Sequence, residues 1–85
     1  MVMKYIISPV ATEKAIKMME SENKLVFIVE RKATKSDVKR ELEREFGIKP
    51  VKINVYIDPK GRKKAIVKLP KDKPAIEFAT EFGVV

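Results

Sequence analysis

A small α+β domain is the fold this sequence predicts: a mostly antiparallel four-stranded sheet with helices packed on it, in the order β-α-β-α-β-β-α and related to the ferredoxin-like plait. Three observations carry that prediction. Val38, Leu42 and Phe46 recur at every fourth position, the spacing of one helix face. Val51, Ile53, Val55 and Ile57 alternate with Lys52, Asn54 and Tyr56, the spacing of a strand with one buried face. Between that strand and the next apolar run stands "PKG" (59–61), a tight connection for a hairpin. The 85 residues form one domain, 1–85, and a chain of this length buries only about 60% of its unfolded surface. Its core is therefore thin.

The elements follow in order. "KYII" (4–7) is a short strand. In "SPVATEKAIKMME", Ser8 before Pro9 and, further on, Thr12 are both candidate helix caps. Ala15, Ile16 and Met19 then set a helix over about 12–20, and "SEN" (21–23) breaks it. "KLVFIVE" has apolar residues on both faces, as a central strand does. "KATKSDVKRELEREFG" is the clearest helix. Asp37 three residues after Thr34 is close to a capping box, and Gly47 stands where a left-handed turn ends the helix. The rest of that helix is charged, and Glu41 and Glu45 are expected in solvated ion pairs. "RKKAIVKL" returns from the hairpin with Ala65, Val67 and Leu69 on one face and Lys64, Ile66 and Lys68 on the other, until Pro70 stops it. A last helix starts near Pro74, turns Ala75, Phe78, Ala79 and Phe82 inward, and ends at Gly83.

Composition excludes much chemistry. There is no cysteine and no histidine, which removes disulfides, thiolate metal sites, the usual general base and the commonest metal ligand. Ser8, Ser21 and Ser36 have no histidine to activate them. No phosphate loop is present: "GIKPVK" and "PKGRKK" lack its glycines and its lysine-serine or lysine-threonine pair. No enzyme and no cofactor is expected. The longest apolar run, "LVFIV", has five residues against the roughly 20 of a membrane span, and the opening "MVMKYIISPV" is unlike a signal peptide. An intracellular protein without direct membrane insertion is expected.

Charge says more. The net charge is +7, and residues 49–73 hold nine Lys/Arg against two acids, so the whole excess lies in this one segment. Clustered positive charge is the footprint of a polyanion partner. Period-two geometry lets the hairpin bury its aliphatics and turn lysines outward, forming a positive plate with an apolar back. The run "KGRKKAIVKL" begins like the signature strand of an RNA-recognition motif, but Arg, Lys and Ile stand where that motif has its base-stacking aromatics. Tyr56 is the one stacking candidate nearby, and half-buried packing is the role expected for it. Contacts to phosphates and to the shape of folded RNA are expected in place of base readout.

Three stretches together carry a family resemblance: "SPVATEKA", "KATKSDVKRELEREFGIKPVKINV" and "GRKKAIVKLPKDKPAIEFATEFGVV". They resemble the large-subunit ribosomal protein family twenty-three, found at the rim of the nascent-peptide exit tunnel, and the closing stretch is similar to its archaeal-type branch. The resemblance covers nearly the whole chain. It implies a structural, cytoplasmic ribosomal protein that binds large-subunit rRNA and neighbouring ribosomal proteins. It also implies meeting points with the signal recognition particle, nascent-chain chaperones and the protein-conducting channel. On the matching motifs, Lys32, Lys35 and Lys39 fall on basic positions, Asn54 on the asparagine of "VN", and Lys63 and Lys64 on a basic pair that Arg62 extends. With Lys14, Lys52 and Lys68 these form the set of expected rRNA contacts. Glu13 of "TEK" is similar to a glutamate that docks a chaperone in bacterial relatives, although an acid in a first helical turn is favoured by the helix dipole in any case. The short "DPKGR" connection departs from the long basic loop of bacterial members, so no tunnel-lining finger is expected. Two other functions make different demands on the sequence. An independent RNA-binding plait acting off the ribosome predicts exposed aromatics on the sheet. A protein-interaction module predicts an exposed apolar or acidic patch.

Overall fold

The computed structural model describes residues 4–82, with side chains described as far as Thr80. Seven elements follow one another: β1 (Ile6–Pro9), α1 (Glu13–Glu22), β2 (Lys24–Val29), α2 (Lys35–Phe46), β3 (Lys52–Ile57), β4 (Lys63–Lys68) and α3 (Ala75–Phe82). The order is the one the sequence predicts. The four strands form one sheet in the spatial order β1-β2-β4-β3, every neighbouring pair antiparallel. β2 and β3 therefore run parallel on either side of β4, with α2 as the crossover. This is a split β-α-β unit, to which β1 adds the remaining edge.

One face of the sheet is the core. Leu25, Phe27 and Val29 of β2, Ala65 and Val67 of β4 and Ile53 of β3 meet Val38 and Leu42 of α2, Ala75 and Ala79 of α3, and Met19 of α1. Val38, Leu42, Ala65, Val67 and Ala79 are fully buried. β2 is covered on its second face as well, since Val26 is also buried. Phe46 and Phe78 pack at the margin of the core. The side chain of Phe82 and the expected helix end at Gly83 lie outside the described residues.

Local rules explain the boundaries. Thr34 Oγ1 accepts from the Asp37 amide while Asp37 Oδ2 accepts from the Thr34 amide, a complete capping box. Its bond to the Thr34 backbone holds the Asp37 carboxyl below its ordinary range, with Arg40 adding to the effect. Gly47 closes α2 in the left-handed region at φ 66°.

Two expectations shift at the N-terminal end. Thr12, not Ser8, caps α1, and Ser8 and Pro9 belong to β1, so the first strand lies two residues later than "KYII" suggests. α1 continues through Ser21 and Glu22 because Asn23 takes a left-handed conformation (φ 55°) that Asn tolerates better than most residues. Asn23 also joins distant segments. Its Nδ2 donates to the Leu69, Pro70 and Lys73 carbonyls, and its Oδ1 accepts from the Ala75 amide at 2.6 Å. One asparagine thus ends α1 and anchors the start of α3.

Glu41 departs furthest from expectation. It is 1% exposed rather than solvated. Its carboxylate accepts from three successive amides, Lys4 (2.9 Å), Tyr5 (3.0 Å) and Ile6 (2.7 Å), so α2 holds the chain leading into β1. Glu41 lies three residues after Val38, on the flank of the buried stripe, where its reach is directed inward rather than toward water.

Candidate nucleic-acid interface

The face of the sheet opposite the core carries the polar half of each strand. Strand register sorts it into rows of cross-strand neighbours. Lys24 pairs with Lys68, and Lys68 with Lys52, so three lysines stand side by side across β2, β4 and β3. Adjacent strands are about 4.8 Å apart, so the row spans about 10 Å at the backbone. The next row is Val26, Ile66 and Asn54, and the one after it Ile28, Lys64 and Tyr56.

Like charges directly opposite one another destabilise a sheet. The lysine row is therefore a standing electrostatic cost to the sheet. Its ends differ. Lys24 is ion-paired with Glu22 at 3.0 Å, whereas Lys52 and Lys68 are exposed and have no ion pair among the described residues. The free positive charge is thus concentrated toward the β3 edge. There Lys52 also borders a groove lined by Lys35, Ser36 and Lys39 of α2 and by Pro50, Val51 and Ile53. Lys52 joins the open face to this second basic surface around the edge of the sheet.

The hairpin base is different. Arg62, Lys63 and Lys64 are the densest basic run in the chain, yet the fold engages all three. Lys63 falls in register with Val29 and Ile57, on the core side of the sheet, and its Nζ donates to the Arg31 and Ala33 carbonyls at 3.0 and 2.6 Å. Lys64 points to the open face, but its Nζ lies 3.2 Å from Asp58 and its side chain is 15% exposed. Arg62 Nε donates to the same carboxylate at 3.3 Å, leaving the rest of this half-exposed side chain free. Asp58 is buried and accepts from the Lys60 and Arg62 amides as well. The Arg62 amide, then Lys64 and the Arg62 guanidinium, outweigh burial and pull its carboxyl from the usual carboxylate range to about 2. The five-residue loop closes at Gly61, whose φ of 84° suits glycine.

The other predicted positions are scattered over the surface. Asn54 is exposed on the open face, two residues from Lys52 and from Tyr56. Lys32 is exposed between β2 and α2. Lys14 is exposed in the first turn of α1, across a groove from Tyr56 and Lys64. Glu13, beside it, is 88% exposed and in loose contact with Lys17 at 3.8 Å. Tyr56 is 42% exposed, the half-buried placement expected of it, with part of its ring open to the groove it lines. Lys24 was not singled out from the sequence. Its membership of the row depends on how β2 pairs with β4, two strands separated by more than thirty residues.

Among the described residues no group of His, Cys, Asp or Glu could hold a metal, and no helix is long and apolar enough to cross a membrane. The family model described as Ribosomal protein L23 matches residues 4–78. The chain is 51% identical over 82 residues to the large ribosomal subunit protein uL23 of Picrophilus torridus, covering 96% of this chain and 99% of that protein. With the family model spanning most of the sequence and this relative nearly all of it, the chain belongs to the ribosomal protein L23 family.

Proposed function

We propose that this chain is a structural constituent of the large ribosomal subunit, resident in the cytoplasm, which binds large-subunit rRNA along a basic path from the open sheet face around the β3 edge. The observation that carries the reading is the cross-strand row of Lys24, Lys68 and Lys52, two of whose members have no acid to neutralise them among the described residues. Lys35 and Lys39 extend the path on the α2 side, and Lys14 and Lys32 add exposed charge at its margins. Arg62 keeps a free portion of its guanidinium for phosphate, while Lys63 and Lys64 set the shape of the hairpin that presents it. Asn54 is the polar group on the face best suited to touch a base or ribose. The lysines displace counterions and hold the rRNA without reading its sequence.

The resemblance to the family adds a location at the exit tunnel, neighbouring ribosomal proteins, and contact with nascent-chain chaperones, the signal recognition particle and the protein-conducting channel. Glu13 is the residue proposed for such docking; its support is that resemblance together with its exposure on α1. The short hairpin loop argues against a finger reaching into the tunnel wall.

The test is binding of the purified protein to a large-subunit rRNA fragment from the tunnel-exit domain, titrated across salt, with an unrelated folded RNA of equal length as competitor. Tight, salt-sensitive binding that survives the competitor supports the reading. Equal binding to both RNAs, together with failure to co-sediment with large subunits, contradicts it.

A further inference from the structure

Beside the lysine row lies a groove that simple phosphate contact does not use. Its floor is Val26 and Ile66, one wall is Met18 of α1, the other is Tyr56 of β3, and Lys14 and Lys64 stand at its rim. It encloses about 400 Å³, within the roughly 300–1,000 Å³ of ordinary ligand sites. Val26 is 5% exposed and Ile66 partly buried, so the floor is apolar, while Tyr56 is 42% exposed.

Resting on the RNA-binding reading above, we propose that this groove receives one unpaired nucleobase of the bound RNA, stacked on Tyr56. Three features select a base as the occupant. An apolar floor with an exposed aromatic wall suits a flat π-system, because every base has a π-face. Lys64, partly exposed and fixed 3.2 Å from the buried Asp58, lines the groove as a donor on the side where the polar edge of a base would lie. The groove also opens beside the lysine row on a face with unneutralised positive charge, so whatever enters it is attached to a polyanion. Asn54, two residues along β3 on the same face, is placed to contact the same nucleotide. The mode differs from that of an RNA-recognition motif, in which several strand aromatics stack successive bases. Here a single aromatic accepts a single base, and the remaining affinity comes from charge.

The chain contains no tryptophan and two tyrosines, Tyr5 and Tyr56, so in a Tyr5→Phe protein the emission reports Tyr56 alone. The probes are two RNA hairpins with equal numbers of nucleotides, one fully paired in its stem and one with a single bulged 2-aminopurine. The bulged hairpin is expected to quench Tyr56 emission, and the paired one to leave it nearly unchanged. Tyr56→Ala is expected to weaken the bulged hairpin roughly tenfold to a hundredfold while leaving the paired hairpin's affinity and the urea midpoint in place, and Tyr56→Phe to restore most of the loss. Equal effects of Tyr56→Ala on both hairpins, or no quenching by the bulged one, overturn the assignment while leaving phosphate binding intact. Displacement of the bulged hairpin by an acidic peptide carrying one phenylalanine, at comparable concentration, also overturns it and assigns the groove to a protein side chain. Failure of both hairpins to bind overturns this inference and the RNA-binding reading together.

Discussion

The hairpin base and the lysine row each gather three basic residues, and the fold treats them in opposite ways. At the hairpin base, Lys63 is bonded to two carbonyls, and Lys64 and Arg62 share the buried Asp58. In the row, Lys52 and Lys68 have no acidic partner among the described residues, and their register sets like charges side by side. The first cluster is adjacent in sequence and has become part of the scaffold. The second is drawn from three separate strands and is available to a partner. Charge density along a sequence therefore locates a basic region without saying which of its charges are free. That depends on face and register.

The comparison can be broken at several points, in order of expected effect. Glu41 is the most deeply buried charge among the described residues. Glu41→Ala strips three successive amides of their acceptor and is expected to cost about 3 kcal/mol in urea unfolding, with RNA affinity of the folded protein unchanged. Lys63→Met removes two charge-assisted bonds and is expected to cost about 2 kcal/mol, with little change in the salt dependence of RNA binding. A strong binding loss at unchanged stability would instead place Lys63 with the free charges. The double substitution Lys52→Ala with Lys68→Ala reverses the pattern. Stability holds, while the slope of log affinity against log salt becomes shallower by about 1.4–1.8, or 0.7–0.9 per phosphate contact.

A pH titration sharpens the same contrast at Asp58. Its folded pKa of about 2 lies below the ordinary value of about 3.9 for an unfolded aspartate. Its contribution to stability is therefore fully present above about pH 4 and is lost as pH falls toward 2. The urea midpoints of the natural protein and of Asp58→Asn are expected to converge over that window. A gap that stays constant from pH 6 to pH 2 would remove Asp58 from the scaffold.

Much of the fold was legible because local rules sufficed. The stripe of Val38, Leu42 and Phe46, the capping box of Thr34 and Asp37, and the alternation in β3 each depend on residues a few positions apart. The open-face assignment of Lys64 and Lys68 followed from period two alone. What was missed depended on distant pairing. Glu41 was given to solvent because the three amides it holds belong to a segment more than thirty residues away. Lys63 and Lys64 are neighbours in sequence, yet the same alternation puts them on opposite faces, and the Arg31 and Ala33 carbonyls that Lys63 meets belong to a segment thirty or more residues away. Lys24 could be found only by aligning β2 on β4. Asn23 was read as a helix breaker, and its bonds to the segment before α3 become visible only in three dimensions.

The smallest expected effect tests the central claim most directly. Lys68 stands in the middle of the row, with Lys24 on one side and Lys52 on the other. Lys68→Gln removes the like-charge contacts with both neighbours without disturbing the core face. Measured on one preparation, its urea midpoint is expected to rise by a few tenths of a kcal/mol in stability, while its affinity for the rRNA fragment falls and the salt slope becomes shallower by about 0.7–0.9. Opposite signs in the two readouts mean that the row is held at a cost to the free protein for the sake of a polyanion. A fall in stability with unchanged RNA affinity would contradict the account and return Lys68 to the scaffold alongside Lys63.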